Sequence, residues 1–234
     1  MLQFNQEGYM KSLKIFAACA CVLLVCGQVF SQERIKLPDP DTESGITVNR
    51  AIHGRRSVRS YSAESLTIAE AGQLLWAAGG ATIDGITGAT RAYPSAGGIY
   101  PLEIYFASGN VEGLRPGLYK YDWKEHSLSE VIGGDIRQAL SRAAYGQKMI
   151  ADAPATIVVT AMYEKTAGRY GERGRTLFVP MDAGHLGQNV HLEAESLGLG
   201  TVMVAGFAKE EVSEVLDGTQ GEPVYMMPVG RPKK

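Results

Sequence analysis

Apolar positions recur along this chain with two spacings, and the spacing separates strands from helices. Leu102, Ile104 and Phe106 alternate with Glu103, Tyr105 and Ala107, which predicts a half-buried strand. Ala155 to Ala161 is a continuous apolar and β-branched run, the signature of a central strand covered on both faces. Tyr119–Tyr121 and Leu128–Val131, joined through Asp122 to Ser127, predict a hairpin, and Thr201–Val204 and Pro223–Val229 two further strands. The helical period begins at Thr47–His53 and returns after Thr67, where Thr67 and Glu70 form a capping box. Ile68, Ala71, Leu74, Leu75 and Ala78 give that second helix its apolar face, and Gly79-Gly80 ends it. Further helices are predicted over Asp135–Tyr145, Met181–Leu197 (the longest, closed by Gly198) and Lys209–Leu216. Strands and helices mix without regular alternation, so the expected class is α+β: a central antiparallel or mixed sheet flanked by helices.

Three stretches fall outside both periods. Gln32 to Gly45 is polar, contains Pro38 and Pro40, and reads as a linker or arm. Gly80 to Gly98 reads as a long Gly- and Thr-rich loop. Lys165 to Arg175 is charged and contains glycine, as a mobile surface stretch or a lid would.

The first 31 residues carry a different pattern. Lys11 and Lys14 precede an apolar run from Ile15 to Val25, and Val29-Phe30-Ser31 fits a cleavage site before Gln32. This layout predicts a signal peptide over 1–31 with Met10 as an alternative start, an arm over 32–45, one domain over 46–234, and export to the periplasm. The run is short for a transmembrane span, so no span is expected in the mature chain. All three cysteines (Cys19, Cys21, Cys26) lie within that segment, which removes cysteine nucleophiles, zinc clusters and iron–sulfur clusters from consideration. The 234 residues carry a formal net charge of −2, which argues against a general nucleic-acid binder.

Against that ordinary background two segments stand out. Gly54 to Tyr61 reads Gly-Arg-Arg-Ser-Val-Arg-Ser-Tyr. A guanidinium fork matches the oxygens of a phosphate, and a serine hydroxyl adds a neutral donor. In an extended segment Arg55, Ser57 and Arg59 share one side, and Arg56 and Val58 the other. The second segment, Arg91 to Pro101, reads Arg-Ala-Tyr-Pro-Ser-Ala-Gly-Gly-Ile-Tyr-Pro. Together they predict a site for flavin mononucleotide (FMN).

The chain resembles the nitroreductase-like flavoprotein family, and within it the branch that holds azoline (thiazoline and oxazoline) dehydrogenases. The likeness runs from about Arg50 to Pro232. Its marks are Arg55 to Arg59, Pro94 to Gly98, Asp152-Ala153-Pro154, Asp182-Ala183-Gly184-His185 and Gly230-Arg231-Pro232. The resemblance implies a homodimer with FMN at the subunit interface, and hydride transfer through flavin N5 to or from a small organic substrate. It implies that Arg55, Arg56, Ser57 and Arg59 hold the phosphate and the adjoining part of the flavin. Pro94, Ser95, Ala96, Gly97 and Gly98 would pack on the ring from the partner subunit, where paired glycines permit close backbone approach. Gln147, Val204, Ala205, Gly206 and Arg231 would complete the site, with backbone donors near Ala205-Gly206 addressing N5.

The sequence departs from the branch in one respect. The azoline dehydrogenases carry a Lys-Tyr pair ahead of the long helix, where this chain has Arg169-Tyr170. Arginine stays protonated and cannot serve as a base, although Tyr170 can still donate a proton. Oxidation of a peptide heterocycle is therefore kept as an alternative, and a non-catalytic exported domain that has lost flavin as another. No metal site is expected: His185 and His191 lie six residues apart, on opposed helix faces. The aromatic set Tyr93, Tyr100, Tyr105, Tyr119, Tyr121 and Trp123 reads as strand-face packing before substrate cleft. No Gly-x-Gly-x-x-Gly stands between a strand and a helix, so a nicotinamide would visit as a substrate.

Overall fold

The run Ala155–Ala161 organises the molecule. In the computed structural model, which describes residues 34–82 and 90–233, it is a buried strand (β7) with every residue covered. The expected signal peptide lies outside the described residues. β7 is flanked by β4 (Leu102–Ser108) and β9 (Glu222–Gly230). The sheet is completed by β5 (Gly117–Asp122), β6 (Ser127–Gly133), β1 (Arg34–Lys36) and β8 (Gly200–Thr201), in the order β1-β6-β5-β4-β7-β9-β8. Every ladder in it is antiparallel. This is the α+β architecture expected.

Alternation along β4 and β7 feeds two cores. Ile104, Phe106, Ile157 and Val159 pack on one face with Leu74 and Leu75 of α2 (Ile68–Gly79) and Leu186 and Val190 of α6 (Val179–Ser196). Tyr105, Ala107 and Val158 pack on the other face with Leu140 of α3 (Arg137–Ala143), Ile150 of α4 (Lys148–Asp152) and Val212 of α7 (Lys209–Val215). β4 is thus buried on both faces, not one: Tyr105 lies under the second helical layer, its hydroxyl accepting from the Gln220 N–H.

The three stretches without a period are more ordered than their composition suggests. Arg34–Lys36, expected in a linker, is an edge strand on β6; Leu37 behind it is buried, and its N–H donates to the His126 carbonyl. Within Gly80–Gly98, Ala81–Thr82 (β2) pairs with Thr90–Arg91 (β3), and Ala96–Gly98 forms a tight helical turn. Lys165–Arg175 is helical, not irregular: it lies in helix α5 (Tyr163–Tyr170) and the wide turn Gly174–Phe178 leading into α6. The predicted helix over 135–145 is shorter, and the strand over 201–204 reduces to Gly200–Thr201 with a bridge at Val204. Among the described residues no helix is long and apolar enough to cross a membrane.

Candidate functional site

The arginine segment leaves α1 (Val48–Gly54), whose N-cap is Thr47, and runs extended along β8. Ser57 bridges Thr201 in parallel, and the Val58 N–H donates to the Thr201 carbonyl at 2.9 Å. Val58 packs on Gly200 while Ser57 and Arg59 face solvent, so the expected division between the two sides holds for these three. Tyr61, buried, anchors the far end by donating to the carbonyls of Val58 and Pro228. Among the described residues none of Arg55, Arg56 and Arg59 enters an ion pair. The side chain of Arg56 donates only to the Gly54 carbonyl, at 3.3 Å. Two guanidinium groups and a serine hydroxyl on a pinned backbone, without carboxylate partners, suit an anion of phosphate type.

Gly200 is what lets this segment sit so close. A Cβ there would stand 2.5 Å and 2.6 Å from Val58 Cγ2 and Cβ. Valine has little rotamer freedom with which to yield. Gly200→Ala is expected to lift the segment from β8 and lower stability by about 1–3 kcal/mol, read as a lower urea midpoint at unchanged slope.

Gln147 and Gly206 are brought together: Gln147 Nε2 donates to the Gly206 carbonyl at 2.7 Å. Val204 is buried and bridges Met226, which leaves Ala205 and Gly206 exposed beyond it. Arg231 is engaged elsewhere. Its guanidinium pairs with Glu70 at 2.8 Å and with Glu64 at 3.1 Å, so Glu70 closes the α2 cap and holds the C-terminal strand at once. Arg231 ties elements together and is not left open like the other three arginines.

The Pro94–Gly98 segment lies at the other end of α6. Three polar residues on one face of that helix hold it. Asp182 accepts from Ser95 Oγ at 2.5 Å and from the Ala96 N–H at 3.3 Å. His185 Nδ1 donates to the Pro94 carbonyl at 3.1 Å, and Asn189 Nδ2 to the Ala92 carbonyl at 2.8 Å. Burial raises the Asp182 carboxyl above the usual range, and the bonds from Ser95 and Ala96 oppose the shift. Gly97 and Gly98 both have positive φ (64° and 66°), and among the described residues nothing lies within 4 Å of where a Gly98 side chain would begin. The Tyr170 hydroxyl belongs to this end, 2.6 Å from a Cβ at Gly97, with the Arg169 guanidinium over its ring at 5.4 Å and Phe178 edge-on at 4.9 Å.

The arginine segment and the Pro94–Gly98 segment therefore stand as two separate groups. Gly54 would meet Glu195 if it carried a Cβ, which sets the arginine segment by the C-terminal half of α6; Asp182 holds the other group near its start. The helix rises about 20 Å between Asp182 and Ser196. From the Gly174–Phe178 turn into α6 runs a solvent-facing stripe of Leu177, Met181, Gly184 and Gln188, where Leu177 is 41% and Met181 48% exposed. Met203, also exposed, lies against Gly187, and α1 adds exposed Val48 and Ile52. The sequence analysis singled out Asp182 and His185 but not Asn189, whose place in the spacing 182, 185, 189 was the available signal. The buried tyrosines of the aromatic set (Tyr93, Tyr105, Tyr119, Tyr121) are core residues, as read.

Residues 52–231 match the nitroreductase family. A protein of Methanocaldococcus jannaschii, provisionally named a nitroreductase, is 41% identical over 197 residues, 84% of this chain and 96% of that protein. The microcin B17-processing protein McbC of Escherichia coli is 27% identical over 132 residues, 54% of this chain and 48% of McbC. Among solved structures, a provisionally assigned nitroreductase from Ralstonia eutropha superposes with a TM-score of 0.73 at 28% identity, covering 88% of this chain and 93% of the other.

Proposed function

Because this chain belongs to the nitroreductase family, we propose that it is an exported FMN-dependent oxidoreductase whose site is assembled across a homodimer. The observation that carries this reading is the division of the site residues between the two ends of α6. The unpaired guanidinium groups of Arg55 and Arg59 are suited to hold the phosphate, with Ser57 between them. The turn at Gly97-Gly98, covered by Tyr170 and Arg169 at Gly97 but open at Gly98, is suited to approach a ring supplied by the arginine end of a second copy through Gly98. The exposed stripe Leu177, Met181, Gly184 and Gln188 would be the surface on which two copies meet. When bound, FMN supplies the hydride chemistry at N5. The protein's part is to bind and orient it: Gln147 fixes the Gly206 backbone, and Ala205 and Gly206 beside it stand free to donate their N–H groups.

Tyr170 is the residue that could hand a proton to a substrate over the Gly97 turn. Arg169, lying over its ring, is a fixed cation and takes none. The likeness to McbC favours peptide-heterocycle oxidation as a second reading, and the arginine in the lysine position weighs against it.

The test is the visible absorption spectrum of the purified protein before and after adding FMN, read across a sizing column. A two-banded flavin spectrum co-eluting with a dimer is expected. Protein that stays colourless after refolding with FMN would overturn the reading in favour of a binding domain without flavin.

A further inference from the structure

Both tryptophans of the chain, Trp76 and Trp123, line one cavity of about 650 Å³ that shares no residue with the site described above. That volume is in the range of small-molecule sites, roughly 300–1,000 Å³. Trp76 comes from the end of α2, and its ring N–H donates to the Ala81 carbonyl at 2.9 Å, which fixes the ring plane. Trp123 and Lys124 sit in the β5–β6 turn. Asp122 Oδ1 accepts from the N–H groups of Lys124 and Glu125 at 3.0 Å and 3.3 Å, which holds the turn closed. At the foot of that turn His126, another lining residue, is locked: Nε2 donates to the Pro38 carbonyl at 2.9 Å, so Nδ1 accepts from the Tyr121 hydroxyl at 2.7 Å. The histidine is thus satisfied and offers nothing to a ligand.

Other groups in the cavity are open. The Lys124 ammonium lies over the Trp123 ring, 5.4 Å from its centroid, with the buried Arg91 guanidinium also over that ring at 5.5 Å, and among the described residues Lys36 donates only to the Glu125 carbonyl, at 2.6 Å. Among the described residues neither lysine enters an ion pair, and the ring nitrogen of Trp123 makes no hydrogen bond. Among the described residues Asp39 is the one carboxylate in the lining, so with His126 neutral these walls carry an excess of positive charge. Two indole rings, two unpaired ammonium groups and an unused indole N–H are the complement of a flat aromatic ring bearing an anionic group. We propose that this cavity binds an aromatic carboxylate. The ring lies against Trp76 and Trp123, and the carboxylate takes the Lys124 and Lys36 ammonium groups.

The chain's own tryptophans report on the site. Benzoate titrated into the full chain is expected to give a saturable change in tryptophan emission, matched by a saturable heat in calorimetry. The uncharged benzamide is expected to bind about ten-fold more weakly or worse. Lys36→Ala/Lys124→Ala should weaken benzoate to the same degree; both side chains are exposed, and unchanged circular dichroism confirms that the fold is kept. Absence of saturation in the natural protein, or an affinity unchanged in the lysine variant, would overturn the proposal. Arg55→Ala/Arg59→Ala is expected to bind benzoate like the natural protein. Loss of binding there, with retention in the lysine variant, would place benzoate in the proposed flavin site and equally overturn the inference.

Discussion

Arg55→Ala/Arg59→Ala protein is expected to purify colourless and to remain so after incubation with FMN, while its circular dichroism matches that of the natural chain. A hydrogen bond to a charged partner is worth about 1.5–3 kcal/mol, so two of them carry about 3–6 kcal/mol. That corresponds to roughly a hundred-fold to ten-thousand-fold in affinity. The fold should survive because neither guanidinium makes an ion pair or side-chain hydrogen bond among the described residues. What fixes the segment is backbone and packing: the Val58 N–H on Thr201, the Val58 side chain on Gly200, and Tyr61 beneath. All of these remain in the variant. Undiminished flavin content would mean that the phosphate is held elsewhere, and the assignment of the arginine segment would fall.

The second large effect concerns stability and comes from His191. This residue is buried on α6, and burial, helped by the positive charge of Arg55, pushes its imidazole down to about 4. In the unfolded chain it takes a proton near pH 6.5. Above that value both states hold it neutral, and its contribution to stability is fully present. As the pH falls the unfolded chain gains a proton that the folded chain refuses until about pH 4, so stability declines across that window. The full interval corresponds to about 3 kcal/mol, at 1.36 kcal/mol for each pH unit of displacement. Urea midpoints measured at one protein concentration from about pH 7 to about pH 4 should fall in the natural chain and fall less in His191→Gln. Burial raises Asp182 and Glu193, whose contributions run the other way, but both are present in the two proteins and cancel in the comparison. Parallel pH profiles would show that His191 does not carry the effect.

Most of the fold was legible because burial leaves a periodic mark. Ala155–Ala161 could only be a strand covered on both sides, and the Thr67/Glu70 box with Gly79-Gly80 bracketed α2 closely. Errors gathered where tertiary contact overrides composition. Arg34–Lys36 has no apolar alternation, yet β6 offers it an open edge and Leu37 a hole in the core. Lys165–Arg175 looks mobile because its residues are charged and glycine-rich, yet Thr166 is buried and α5 packs through it. The arginine segment and the Pro94–Gly98 turn were legible as unusual chemistry. That one end of α6 takes the first and three polar side chains hold the second was not, because both facts depend on contacts between distant parts of the chain. Arg231 shows the same limit: its residue type suits an anion, and only the fold reveals that Glu64 and Glu70 already occupy it.

The spacing of the two groups along α6 has a consequence for inheritance. On the proposed dimer each subunit lends its arginine end to one site and its Pro94–Gly98 turn to the other. A subunit damaged in its arginines would still be a competent donor of the turn. Paired with a sound subunit it would leave one of two sites whole. Paired instead with a subunit damaged only in its turn, it would still assemble one whole site, so on the proposed dimer the two kinds of damage would complement each other.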